Sequence, residues 1–343
     1  TRASYSNYAS DQEQFNRYNV NPEIVGTIKY DVKRYPTTTD NISWDNILNY
    51  TAKWGDHDFS VMVGQTLETS TMKRTWAQGT GYGGYDDEFN ALNFAQFSQS
   101  TSGYTTSWTA LGLLGRISYD YKDRYLLQAN FRADASSRFS KKNRWGYFPS
   151  VSAGWKINSE SFMQNVDWIS LLKLRAGWGQ LGNNRIGNNA YATYVGQQSA
   201  TYIYGVGMPT IQPGMSISSY GNSDILWERT QSTSVGLDFN VLDNRISTSV
   251  DYFIKDTHDM LVAVPIVYSS GYTSTPMQNA GSVRNKGWEV QLSYKDRIGD
   301  FNFELSGNFT KVKNEVTALG GNDDAIYGGN LGSPNNLGYV NKT

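Results

Sequence analysis

Apolar and polar side chains take turns along this chain, and each segment holds one phase. From Phe301 to Phe309 the odd positions read Phe, Phe, Leu, Gly, Phe and the even ones Asn, Glu, Ser, Asn. Trp288–Tyr294 and Ile246–Tyr252 follow the same rule. Successive side chains of a β-strand point to opposite faces, so each segment has one apolar and one polar face. Such a chain has two solutions: two sheets packed together in water, as in a soluble β-sandwich, or one sheet closed into a wall between lipid and water. Alternation alone leaves both open.

Three features favour the wall. About eleven segments alternate, near 24–34, 42–54, 58–69, 111–121, 125–133, 149–157, 171–179, 228–241, 245–256, 286–295 and 300–313, with a poorly patterned twelfth before residue 20. Each is near the 9–11 residues that a tilted strand needs to cross a bilayer. Aromatics flank the short turns, as with Trp54 and Phe59, Tyr121 and Tyr125, Tyr294 and Phe301. The polar faces carry charges that suit a lumen: Arg116, Asp120, Arg132, Lys173, Arg175, Asp238, Asp251, Glu289 and Glu304. The expected fold is all-β, an antiparallel transmembrane β-barrel.

Composition fits. Hydrophobic residues make up only 38% and mean hydropathy is −0.54. No run approaches the roughly 20 apolar residues of a spanning helix. A barrel passes under that test because only alternate residues meet lipid. A net charge of −1 gives no pull toward nucleic acid. With no Cys, disulfides and thiolate chemistry are excluded. The opening residues Thr1–Tyr5 carry no apolar signal segment, so a barrel reading implies that the natural chain begins earlier.

The connections alternate in length. Gly55–Asp58, Lys122–Arg124, Leu242–Asn244 and Asp296–Asp300 are short and hold Asp, Asn or Gly, residues suited to tight hairpins. Residues 158–170 read as a short helix, capped by Asn158 or Ser159 with Glu160 in its first turn. Long loops lie near 70–110, 134–148, 180–227, 257–285 and 314–343. Bacterial outer-membrane barrels show this asymmetry, with short turns on the periplasmic side.

No catalytic constellation stands out, and no cofactor or metal is implied. The two histidines, His57 and His258, fall in connections of opposite type. Gly79–Gly84 matches a dinucleotide fingerprint formally, but Tyr85-Asp86-Asp87-Glu88 follows in place of a helix. Neither Asp86-Asp87-Glu88 nor Asp323-Asp324 has the spacing of a calcium loop. The loop aromatics Trp76, Tyr82, Tyr85, Trp108, Tyr202, Tyr204, Tyr220 and Tyr272 are the candidate ligand contacts. Flat rings stack on sugars or pack on peptides, and they also pack loops together.

Several ordered motifs resemble the SusC/RagA-like TonB-dependent outer-membrane transporters. They are Gly146–Trp155, Ser159–Met163, Leu172–Gly179, Leu226-Trp227-Glu228, Asn279–Glu289 and Lys313–Val316, together covering about residues 110–320. The resemblance implies a barrel of about 22 strands around a plug, of which this chain would hold about eleven or twelve. The plug, the TonB box and the closing strands would lie outside it. It further implies a protein of the Gram-negative outer membrane, in contact with outer-membrane lipid. Such a protein imports oligosaccharides or oligopeptides through a SusD-like lipoprotein lid, using energy from TonB. A dimer of the transporter–lipoprotein pair is compatible with it. A passive porin and a soluble or adhesive glycan-binding β-protein are the alternatives.

Overall fold

The computed structural model describes residues 1–18, 29–80, 99–204, 210–263, 277–319, 325–328 and 338–341. These residues are nearly all strand. β1 (Arg2–Tyr18), β2 (Lys29–Trp54), β3 (His57–Thr80), β4 (Gln99–Tyr121), β5 (Tyr125–Ser136), β6 (Trp145–Lys156) and β7 (Ile169–Asn183) follow in order. After the separate hairpin β8 (Tyr194–Tyr204) and β9 (Thr210–Ser219) come β10 (Glu228–Val241), β11 (Ile246–Ala263), β12 (Met277–Ile298) and β13 (Phe301–Ala318). A last small hairpin pairs β14 (Ala325–Gly328) with β15 (Gly338–Asn341). Eleven strands make one antiparallel sheet in the order β1-β2-β3-β4-β5-β6-β7-β10-β11-β12-β13.

The strand count matches the sequence reading through two compensating differences. Residues 29–34 of the first segment and the whole of 42–54 are parts of the single strand β2, which runs through Pro36, and the poorly patterned start of the chain is a full strand, β1. Much of the expected loop 70–110 is strand as well, because β3 continues to Thr80 and β4 begins at Gln99. The expected helix after β6 is two 3-10 turns, Ile157–Ser159 and Ser161–Met163, with no side-chain cap. Asn158 spends its side chain elsewhere: its Oδ1 accepts the Leu172 N–H at 3.2 Å. It thereby occupies a backbone donor where the β6–β7 ladder ends, at Lys156–Lys173.

The chain divides into two compact units, residues 1–46 with 66–111, and 47–65 with 112–343. In the first, polar side chains join the strands. Tyr5 Oη and Asn7 Nδ2 both donate to Asp40 Oδ1, each at 2.8 Å. The Arg74 guanidinium lies 4.9 Å from the Tyr35 ring centre.

In the second unit the register settles the two faces. Leu127, Phe131, Val151, Val235, Leu292 and Phe309 share one face and are all about half exposed. Cross-strand partners keep them together, as in Leu174–Leu237, Leu237–Val250 and Val250–Val290. So broad an apolar face could not stay bare in water. It stops at one level: past Ile254 and Trp288 the same face carries Asp256 and Arg284, paired at 2.6 Å.

The short turns lie at one end. Gly55 and Gly299 take φ of +58° and +63°, a region that a side chain would strain, and each begins a two-residue turn. Neighbouring turns are stitched by backbone hydrogen bonds: Lys122 N to Asp56 O, Lys156 N to Arg124 O, Leu242 N to Trp168 O and Lys295 N to Arg245 O, at 2.7–3.0 Å.

Candidate functional site

The polar face of the second unit is built on small side chains. Ser150–Gly179–Ser232, Ser152–Gly177–Ser234 and Gly154–Arg175–Gly236 form three consecutive rows across β6, β7 and β10. Arg175 is the one large residue among these nine. A concavity of about 830 Å³ opens over the second and third rows, bounded also by Lys53, Asp58, Asp120 and Gln128.

Arg175 organises this face. Its Nε and Nη2 donate to the two oxygens of Asp238 at 2.8 and 2.9 Å, a bidentate pair. Nη2 also reaches Asp251 Oδ2 at 3.0 Å and Ser249 Oγ at 3.1 Å. The Ser249 hydroxyl lies 3.1 Å from Asp238 Oδ1 and 3.2 Å from Asp251 Oδ2. One guanidinium on β7 thus binds carboxylates on β10 and on β11, two strands away. Gly236 makes that reach available. It stands between Arg175 and Asp251 in register, and a Cβ there would come within 2.1 Å of Asp251 Oδ1 and 2.9 Å of Arg175 Nη2.

The other charges expected on the polar face fall outside this cluster. Arg116 Nε donates to Asn130 at 2.8 Å, and Arg132 Nε to Asp134 at 2.7 Å. Glu304 pairs with Lys295 at 3.3 Å. Glu289 is directly opposite Asp251 and exposed. Sequence reasoning missed Gly236 as a member, although a glycine between Val235 and Leu237 in a strand signals a close approach.

At the long-loop end a second cluster holds the connections together. Phe139, Phe148, Ile225 and Trp227 bury one another, with Phe139 stacked on Trp227 at 4.7 Å and Phe148 edge-on to it at 5.5 Å. The Phe148 ring lies over Gly182, where a Cβ would meet it at 2.0 Å. Ser140 Oγ donates to Ser223 O, Asn143 Nδ2 to Ile225 O and Trp227 Nε1 to Arg144 O. Asn279 exchanges two hydrogen bonds with the Leu226 backbone and donates a third to Asp259 O. The Leu226-Trp227-Glu228 and Asn279–Glu289 motifs therefore meet in space.

The candidate ligand aromatics do not form one site among the described residues. Trp76 and Trp108 lie within β3 and β4, half-buried, where the sequence placed a loop. Their carbonyls accept from Thr101 and Thr69. Tyr202 and Tyr204 fall on β8, and Tyr220 follows β9, exposed. Tyr82, Tyr85 and Tyr272 lie outside the described residues, as do Gly81–Gly84, Asp86-Asp87-Glu88 and Asp323-Asp324. His57 belongs to an aromatic group at the short-turn rim, its Nδ1 2.8 Å from Tyr119 Oη, whereas His258 is on β11 opposite Arg229.

Comparison with known proteins is consistent with this geometry. A family model described as TonB dependent receptor-like, beta-barrel matches residues 1–341. TonB-dependent receptor SusC of Bacteroides thetaiotaomicron is 36% identical over 291 residues, covering 84% of this chain and 28% of its own length. A TonB-dependent receptor of Formosa agariphila is 34% identical over 296 residues, covering 84% of this chain and 27% of its own. Among solved structures, the RagAB peptide transporter superposes with a TM-score of 0.82 at 25% identity, covering 99% of this chain and 36% of that one. The chain thus spans roughly a quarter to a third of the length of the relatives it matches. The family match, together with an apolar face set for lipid and a polar face set for water, places it in the outer membrane. The chain belongs to the TonB-dependent receptor-like β-barrel family, and what it contributes is barrel wall.

Proposed function

We propose that this chain forms part of the wall of an active outer-membrane importer of large nutrients. Its polar face lines the lumen, and its long connections border the vestibule and meet a SusD-like surface lipoprotein. Cargo is an oligosaccharide or an oligopeptide. The RagAB likeness supports the peptide, and the loop Tyr and Trp residues suit either class. Energy comes through TonB acting on a plug within the barrel, and no covalent chemistry is assigned to any residue here.

The observation that carries the reading is the bonded lip around Trp227. Phe139 and Ile225 hold two connections against each other, and Asn279 of β12 ties the second to the sheet, which gives a lid a fixed rim to close against. The test is uptake of labelled oligosaccharides and peptides by cells that carry the full-length protein with its lipoprotein. Uptake of one class that stops when TonB is deleted is the expected result. Uptake that persists without TonB would make the protein a porin.

A further inference from the structure

The connection from β6 to β7, residues 157–168, is pinned to the wrong side for a lumen element. Glu160 accepts hydrogen bonds from Tyr125 Oη at 2.7 Å and Trp155 Nε1 at 3.0 Å. Tyr125 and Trp155 are cross-strand partners on the apolar face, in phase with Leu127 and Ala153. At the segment's other end Trp168 packs edge-on against Phe239, at 6.2 Å and 84°. Phe239 is in phase with Leu237 and Val235 on the same apolar face. The Trp168 carbonyl also accepts the Leu242 N–H at 3.0 Å.

Held at both ends against the lipid-facing side, the segment leaves two large rings bare. Phe162 is 65% exposed and Trp168 56%. Their neighbours Ser161, Gln164, Asn165 and Asp167 are polar and exposed. A polar strip with two projecting aromatics matches the headgroup level of a bilayer, where the rings find apolar surroundings and the strip finds water. The patch is continuous with a face that already meets lipid.

We propose that residues 157–168 are an interfacial foot, with Phe162 and Trp168 inserted at the headgroup level of the periplasmic leaflet. The partner is phospholipid, recognised through ring insertion. It is not recognised by headgroup charge, since Arg124 and Lys156, the cations beside the segment, are engaged with Glu160 and Asp123.

The test uses the full-length protein in bilayers of phosphatidylethanolamine and phosphatidylglycerol. A nitroxide is placed at Phe162→Cys in a background free of other cysteines, and this chain contains none. Collision with oxygen reports lipid and collision with a water-soluble nickel chelate reports solvent. Labels at Leu127→Cys, in the apolar band, and at Asp56→Cys, in a short turn, bracket the range. The expected result is nickel collision several-fold below that at Asp56→Cys and oxygen collision nearer that at Leu127→Cys. Nickel collision equal to that at Asp56→Cys would overturn the foot. Trp168→Cys gives a second reading, and heat-dependent gel mobility verifies that each variant is folded.

Discussion

At the scale of single residues, Gly236 is a position where one added methyl group has a direct cost. A Cβ there must displace the Asp251 carboxylate or the Arg175 guanidinium. Gly236→Ala is expected to cost about 1–3 kcal/mol, the usual range for forcing extra volume into a packed site. Gly307, with open space where its Cβ would stand, is the control: Gly307→Ala should be near neutral or slightly stabilising. Urea unfolding of both variants checks the contrast. Arg175→Met removes the guanidinium that Asp238 and Asp251 share. Because these groups are about a quarter to a third exposed, the cost is roughly 1–2 kcal/mol, well below that of a fully buried pair. Adding Asp251→Asn should recover part of it. Alternation alone would suggest that Ser249, on the polar face, tolerates Arg easily. The structure corrects that, since Ser249 contacts Arg175, Asp238 and Asp251 together and a second guanidinium would compete there.

At the scale of elements, the strands of the apolar band were legible and much else was not. Alternation marks a strand only where its two faces meet different surroundings. Thr37, Thr38 and Thr39 continue β2 in full register with β1, but side chains of one kind on both faces leave no pattern to read. The connection after β6 misled for a different reason. Asn158 and Glu160 have the look of helix-start residues, yet their partners are Leu172, Tyr125 and Trp155, which local sequence does not announce. Glu160 also gives the segment a pH dependence. Hydrogen bonds from Tyr125 first, then Trp155, hold its carboxyl below the usual carboxylate range. A depressed folded-state pKa means that the stabilisation is complete above that range and lost as pH falls through it. Amide exchange over residues 157–168, corrected for its intrinsic pH dependence, should therefore hold steady above the ordinary Glu value of about 4.3 and rise as pH falls below it. Glu160→Gln should remove that step.

At the scale of the whole molecule, lipid is the solvent for one face, and substitutions there follow its rules. Leu292→Arg, on a half-exposed position of that face, should cost roughly 2–4 kcal/mol if it lies near the bilayer midplane. Folding titrations into lipid vesicles measure it. The fold could be read from physics because the bilayer imposes a two-residue rule on every crossing. The function could not, because nothing in the pattern of a wall says what passes through it. That part came from ordered motifs such as Leu226-Trp227-Glu228 and Asn279–Glu289.

The bridge from Arg175 over Gly236 to Asp251 also bears on how the wall is assembled. Neighbouring strands in a sheet can zip together one residue out of step and still satisfy most of their backbone. A slip of β10 by one residue would bring Val235 or Leu237 beneath the guanidinium and send Asp238 toward lipid. The ion cluster forms only when three successive strands agree, so it acts as a checksum on their alignment. A misaligned sheet would present unmatched charge to lipid, which costs free energy that the aligned sheet does not lose.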